Sequence, residues 1–590
     1  MRLWNLRERC FRLKNLPAGE LTTPLRRCLS TFDITLLGVG HMIGAGIYVL
    51  TGAVVRNTAG PSIVLSFLLA GVASLLSALC YAEFGARFPK AGSAYTYTYV
   101  GVGELWAFVI GWNIVLEHMI GSAALARSWS GYLDSLLGNV ISNTTIARVG
   151  HIHEGSSFLG DYPDLLAFLI IVLVCVFVAM GSKASTNFNS LLTVLNMAVI
   201  VVVVGYGITY ADFSLWTGVD DSGNSKFFPY GVGGMFAGAA SCFFAYIGFD
   251  GLATAGEEAK NPARSIPIAT FASMSIVTLA YVLMSASLTL MVPYDQVHPS
   301  AAFSDAFALK GANFAKVAVS MGALFGMTTS LVGGMFALPR CVFAMAEDGL
   351  LFQSLASINP RTQVPIQALM IFGAMTAVIA LIFDITTLVE FLSIGTLLAY
   401  SIVSACVIVL RYQPSYRHDE GLYDNGGKLR FSIPGMAFLE RLEAGHSIYY
   451  GITLMIAAFY VTGFCFTSGI AQSTGGQVFT ALMILISLAA FLFILAHYQN
   501  TSQLDFKVPF VPLLPSLSLL INTIMMLHLS PLTWLRFAFW MTIGFAIYFG
   551  YGITHSKEEI SAAERFSKSS TYDSVVTAST LQDEPSSLQP

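Results

Sequence analysis

Runs of about twenty apolar residues recur along this chain, and they limit its folding more than any other feature. Segments 165–180 and 191–208 are two examples, each long enough to cross a hydrocarbon core of roughly 30 Å as a helix. Inside lipid a single segment must satisfy its own backbone N–H and C=O groups, which only a helix does. The alternating pattern of a membrane barrel is absent. Composition agrees: of 590 residues, 55% are hydrophobic and only 11% charged, against about a quarter charged in soluble domains. The sequence predicts an all-α polytopic membrane protein.

Fourteen spans are expected. The first five lie at 33–52, 62–84, 105–126, 164–181 and 189–209, and the next five at 230–253, 268–292, 315–338, 365–383 and 388–410. The last four lie at 448–469, 477–497, 510–528 and 533–553. Flanking them are a cytosolic segment 1–31, a cytosolic loop 411–447 and a tail 554–590 rich in Ser, Thr, Asp and Glu, which predicts disorder. An even count puts both termini on one side, and the basic residues choose the cytosol. Arg2, Arg7, Arg9, Arg12, Lys14, Arg26 and Arg27 precede the first span, and Arg411, Arg417, Lys428, Arg430 and Arg441 sit in the large loop. The external loop 127–163 then carries Asn143-Thr144-Thr145, a glycosylation acceptor on the correct side. A second acceptor at Asn500 falls in the cytosol and should stay unmodified. The net charge of −4 averages a membrane body with its tails and says little about partners. Residues 1–31 read as polar and basic, not as a cleavable signal, so the first span directs insertion. None of the eight cysteines falls in a long external loop, so no structural disulfide is expected there.

Two spans carry glycine where a uniform lipid-facing helix has no need of it. The first reads Gly38-Val39-Gly40-His41-Met42-Ile43-Gly44-Ala45-Gly46, and the sixth Phe243-Phe244-Ala245-Tyr246-Ile247-Gly248-Phe249-Asp250-Gly251. Close helix packing through small residues is one explanation. The other is a pair of discontinuous helices at matching positions of two five-span halves, a pattern that points to a transporter binding site. Unwound backbone at membrane depth is tolerable only where it lines a wet cavity or meets a ligand. Amide groups of the half-helix starting near Gly46 suit a carboxylate. Freed carbonyls around Phe244, Ala245 and Ile247 suit an ammonium.

Several stretches resemble the cationic amino acid transporter branch of the amino acid–polyamine–organocation superfamily. They are Leu36-Leu37-Gly38-Val39-Gly40 with Gly44-Ala45-Gly46, Cys80-Tyr81-Ala82-Glu83-Phe84-Gly85-Ala86-Arg87, and Gly103-Glu104-Leu105-Trp106-Ala107-Phe108. Gly248-Phe249-Asp250 with Gly256-Glu257-Glu258, Ala344-Met345-Ala346-Glu347-Asp348-Gly349-Leu350, 391–400 and Tyr548-Phe549-Gly550-Tyr551-Gly552 continue the match. The resemblance implies a LeuT-like five-plus-five inverted repeat, spans 1–5 (32–209) and 6–10 (210–410), with four additional C-terminal helices over 448–553. It implies substrate held at mid-membrane, with Ile43, Gly44, Ala45 and Gly46 on the carboxylate. Phe244, Ala245 and Ile247 would hold the α-amino group, and Phe249 would serve as an aromatic gate.

Ionisable groups inside a span each need a reason. Glu117 and His118 fall near the middle of span three. Glu117 either pairs with a substrate cation, or is a buried acid that is neutral or bonded to an internal group such as His118. Asp250 follows the second break and is expected to brace it; His41, within the first, reads as a hydrogen-bonding group or a pH sensor. At the cytosolic span ends, plain interfacial anchoring explains the charged residues, while the resemblance implies an inner ion-pair gate with Arg87 and Glu258 as candidates. The resemblance implies that Asn196 stands where proton-coupled relatives carry a lysine. That favours a uniporter drawn by membrane potential.

The sequence thus points to transport of amino acids, with arginine, lysine and ornithine first and neutral amino acids or a sensor on the same scaffold as alternatives. No catalytic or metal-ligating cluster stands out, so neither an enzyme nor a cofactor is expected. Beyond the amino acid and membrane lipid, no nucleic acid is expected as a partner. A disulfide-linked heavy chain is not expected either, because loop 127–163 lacks the cysteine such a partner would use. The plasma membrane is the expected location, with the lysosomal membrane as the alternative.

Overall fold

The computed structural model describes residues 9–14, 27–44, 46–88, 92–151, 159–219, 225–297, 302–417, 422–430, 445–502, 504–529 and 531–558. A helix lies on each of the fourteen apolar segments. In chain order these are α1 (Thr31–Met42), α2 (Ile63–Arg87), α3 (Glu104–Leu136), α4 (Leu165–Ala179) and α5 (Ser182–Ile208). Next come α6 (Gly231–Phe243), α7 (Pro262–Met291), α8 (Asn313–Glu347), α9 (Ile366–Ile382) and α10 (Ile385–Arg411). The last are α11 (His446–Thr467), α12 (Thr474–Leu495), α13 (Leu513–Leu527) and α14 (Pro531–Ile547). Ten helical stretches are long and apolar enough to cross a membrane, the first containing both α1 and α2; α4, α9 and α13 are shorter apolar helices. The one two-stranded sheet among the described residues pairs Tyr416–Arg417 with Leu422–Tyr423.

Helix starts follow from local chemistry. Ser30 and Asp33 form a capping box at α1, each side chain accepting from the other's backbone N–H. Asp164 caps α4 by accepting from Ala167 N at 2.9 Å. Two helices outrun their apolar windows because their polar ends are buried by neighbours. Helix α3 continues to Leu136, where the Asp134 carboxylate accepts from Ile141 N (2.7 Å) and Ser142 N (3.2 Å). Those bonds begin the short helix Val140–Val149, which carries Asn143 exposed on the surface. Helix α8 continues to Glu347 and so takes in Arg340.

Helices α3 and α8 pack on one another at the centre, with 89% and 83% of their apolar windows buried, against 22% for α12. Inner helices position the site; α11 to α14 lie outside, where α13 packs on α10 and α14 on both α3 and α10. The chain does not turn into a free tail at 554 as expected. A helical turn runs through His555, and Ser556 is fully buried against the bundle. The disorder expected for 559–590 lies outside the described residues. All eight cysteines are free thiols.

Candidate functional site

Both glycine-bearing spans are interrupted. Helix α1 ends at Met42 and Ile43 is extended (φ −79°, ψ 90°), before a wide turn resumes over Gly46–Leu50. Helix α6 passes through a tight turn at Phe244–Tyr246 to Ile247, also extended (φ −60°, ψ 135°). Gly248 follows at φ 123°, a conformation that side-chain-bearing residues resist. Helical structure resumes at Gly251–Thr254. The two breaks cross at close quarters: a Cβ built on Gly46 would lie 2.6 Å from Ala245 Cα, so only glycine fits. Ahead of α1 and after the second break the two segments are joined again, because Cys28 N and Leu29 N both donate to Glu258 O at 3.0 Å.

Between the breaks lies a cavity of about 70 Å³, lined from four sides. The first break gives His41, Met42, Gly44 and Gly46, and the second gives Phe244, Ala245, Ile247 and Gly248. Helix α3 contributes Glu117, His118 and Ser122, and α8 contributes Ser330 and Gly334. By the same measure a water needs at least 10–15 Å³, so there is room for roughly five waters or a compact polar group. Ser128 lines this cavity and also a larger one, about 740 Å³, that holds Arg127, Asp161, Asp164, Asp305, Lys316 and Asp384. That vestibule lies at the end of the bundle opposite Glu104, the external end by the charge argument.

The polar atoms of the small cavity are in want of partners. Neither oxygen of Glu117 has a hydrogen-bond partner within 3.5 Å, although the residue is only 3% exposed; the Thr396 side chain lies beside it. His118 Nε2 and Ser122 Oγ are also buried and unbonded. The His41 ring stacks 6.1 Å from that of His118 and lies against Gly248, Gly251 and Gly333. An unpaired acceptor in low dielectric is unfavourable, and a ligand with several N–H donors would relieve it.

Other candidates sit near the cavity without lining it. Ile43 is fully buried behind it; Ala45 lies outside the described residues. Phe249, expected as a gate over the substrate, instead packs its ring on Tyr81 (5.7 Å) and Tyr400 (4.7 Å). Asp250 accepts from Tyr400 Oη at 3.3 Å, and Asn196 Oδ1 accepts from Tyr48 Oη at 2.6 Å. The expected pairing of Arg87 with Glu258 is corrected by the structure. Glu258 Oε1 takes Arg340 Nη2 (2.7 Å) and Nε (3.1 Å) together with Ser182 Oγ (3.0 Å). Arg340 also stacks on Phe336 and donates to its carbonyl. Arg87 lies over the Phe88 ring, its Nη1 without a partner.

The end of the bundle where α3 begins holds further ion pairs. Glu83 accepts from Arg411 Nε (2.8 Å) and Nη2 (3.1 Å) and from Val508 N (2.6 Å). Glu104 accepts from Arg12 Nε, Tyr99 Oη and Ser556 Oγ, each at 2.6 Å, and from Tyr548 Oη at 3.0 Å. Lys14 bridges to Asp348 at 2.6 Å. Arg340 and Tyr281, whose hydroxyl reaches both breaks, were not singled out from sequence. For Arg340 a signal existed, an arginine two residues beyond an apolar run; for Tyr281 there was none.

Comparison with known proteins adds the following. The family model described as amino acid permease matches residues 29–488, and that described as the C-terminus of the permease matches 506–556. Over 579 residues the chain is 44% identical to "Cationic amino acid transporter 4" of Mus musculus, covering 93% of this chain and 90% of that one. It is 34% identical over 561 residues to "Cationic amino acid transporter 4, vacuolar" of Arabidopsis thaliana, covering 90% and 92%. It is 36% identical over 442 residues to "Methylthioribose transporter" of Bacillus subtilis, covering 75% and 91%.

Proposed function

The chain belongs to the amino acid permease family and, within it, to the cationic amino acid transporters; from that premise we propose that it carries cationic L-amino acids across the membrane by alternating access. One observation carries the choice of substrate: a carboxylate with no partner, Glu117, faces the cavity between two interrupted helices. A guanidinium or side-chain ammonium supplies what it lacks, in a charge-assisted bond. The backbone end of the substrate would sit at the breaks, its carboxylate toward Gly44 to Gly46 and its ammonium toward the carbonyls of Phe244, Ala245 and Ile247. Glu258 with Arg340 would form the inner gate.

An inverted repeat of 32–209 and 210–410 is supported by packing. Helices α2, α3 and α4 each pack on the helix five places later, and the first break packs on the sixth-span break. Fourteen crossings are supported by the ten long apolar stretches, the first counted twice, with the three shorter ones added. We read 448–553 as peripheral spans and 411–447 as a cytosolic loop. Asn196 is neutral and held by Tyr48, which suits uniport. A single positive charge then gains about 2.3 kcal/mol per 100 mV, a tenfold accumulation for roughly every 60 mV.

The test is uptake of labelled arginine into proteoliposomes at clamped voltage. Uptake that grows with inside-negative potential and ignores an imposed proton gradient is expected. Proton-driven uptake at fixed voltage would overturn uniport, and stronger competition by neutral amino acids than by lysine would overturn the cationic reading. Imaging of the tagged protein decides between the plasma membrane and an internal one, the latter kept open by the plant relative's vacuolar name. Enzymatic deglycosylation, with Asn143→Gln as control, tests modification of the exposed Asn143.

A further inference from the structure

Tyr281 lies at the middle of α7, fully buried, and does not line the cavity. Its hydroxyl is 2.7 Å from Met42 O and 2.8 Å from Ala245 O. Those carbonyls belong to the final turns before the two breaks, and both residues line the cavity. Two helix ends thus direct partial negative charge at one oxygen. A phenol has one proton to give, so it can satisfy only one of the two carbonyls at a time. The ring is fixed by Phe67 (5.1 Å) and Tyr246 (5.2 Å), which leaves the hydroxyl little freedom to be elsewhere.

We propose that Tyr281 is a positioning residue: its hydroxyl ties the two interrupted helices together at the spacing that an α-ammonium group requires. The tie draws two acceptors toward one point while leaving them short of donors. An ammonium, with three N–H bonds, makes up the shortfall from the cavity side. A ligand without an α-amino group leaves it open. The inference rests on the transport reading and assigns the tie between its two breaks to a side chain on a third helix.

Tyr281→Phe removes the hydroxyl and keeps the ring packing. Tyr449→Phe is the control for loss of a hydroxyl-to-carbonyl bond, because Tyr449 Oη on α11 donates to Gly101 O at 3.2 Å, away from both breaks. Loss of one buried hydrogen bond predicts about a tenfold rise in KM for arginine in Tyr281→Phe, with maximal rate within about twofold of wild type. The same variant should discriminate about tenfold less between arginine and its analogue lacking the α-amino group as competitors. Tyr449→Phe should change neither. Equal shifts in both variants, or an unchanged KM and competitor ratio in Tyr281→Phe, overturn the assignment. Wild-type protein that neither moves arginine nor is thermally stabilised by it overturns the transport reading itself, and this inference with it.

Discussion

Glu117 and Glu104 are both glutamates buried on α3, one near its middle and one at its first residue, and they are treated in opposite ways. Glu104 accepts from Arg12, Tyr99, Tyr548 and Ser556. Glu117 accepts from nothing. The contrast extends to their surroundings: the end of the bundle that holds Glu104 carries the ion pairs Glu83–Arg411 and Glu258–Arg340, with Arg87 Nη1 and Glu258 Oε2 left over, and the centre holds a cluster of polar atoms without partners around one cavity. Saturated groups hold a closed end together. Unsaturated ones gathered on a cavity wait for something that arrives from outside, which is what a carrier needs at its midpoint.

The largest effect is expected where a paired charge is broken. Arg340 and Glu258 are both fully buried, so Arg340→Leu leaves a carboxylate with no counter-charge at a cost of about 3–5 kcal/mol. Thermal unfolding of the detergent-solubilised protein should show a clear loss, largely restored in Arg340→Leu/Glu258→Leu. A single variant as stable as wild type would mean that this end is not held by its ion pairs. Next comes the crossing of the breaks. Gly46→Val places a side chain into Ala245, and overpacking of about 3 kcal/mol corresponds to a loss of roughly a hundredfold in uptake at normal surface abundance. Substantial transport would show that the breaks separate freely.

Glu117→Gln sharpens the contrast most directly, because its two readouts should move apart. Arginine uptake should fall about ten- to a hundredfold, as expected for a charged hydrogen bond worth roughly 1.5–3 kcal/mol. Stability should stay level or rise, since an unpartnered buried carboxyl has been replaced by a neutral amide of the same shape. If stability instead falls as it does in Arg340→Leu, Glu117 is a structural group and the cavity loses its reason to select cations.

The places of the helices were legible from apolar runs, and the breaks from glycine at matching positions of spans one and six. Those are local signals: nine residues around Gly44 announce that a helix cannot continue. The partners were not legible, because they are tertiary choices. Glu258 meets Arg340 from 82 residues away and Met42 meets Tyr281 from 239. Arg87 is nearer to the motif that suggested it, yet α8 runs beyond its apolar window and brings Arg340 in first. Phe249 was a gate only by family resemblance, and no local signal announced that its ring packs on Tyr81 and Tyr400 after the positive φ of Gly248.

The smallest effect belongs to a saturated group outside the membrane. Burial alone would raise the Asp424 carboxyl, but donors from Thr501 N, Ser415 Oγ, Ser415 N and Gly426 N outweigh it and hold it down to about 2. A carboxyl depressed in the folded state contributes stability above its ordinary range near 3.8, and that contribution fades as pH falls through about 2. Asp424→Asn should therefore lower stability by a constant amount between pH 5 and 8, under about 1 kcal/mol once solvent screening of this largely exposed group is allowed for. The two unfolding curves should run parallel over that range and converge only below pH 4. A gap that widens or closes between pH 5 and 8 would assign the anchoring of this loop to some group other than Asp424, leaving the α10–α11 connection less fully paired than the bundle end beside it.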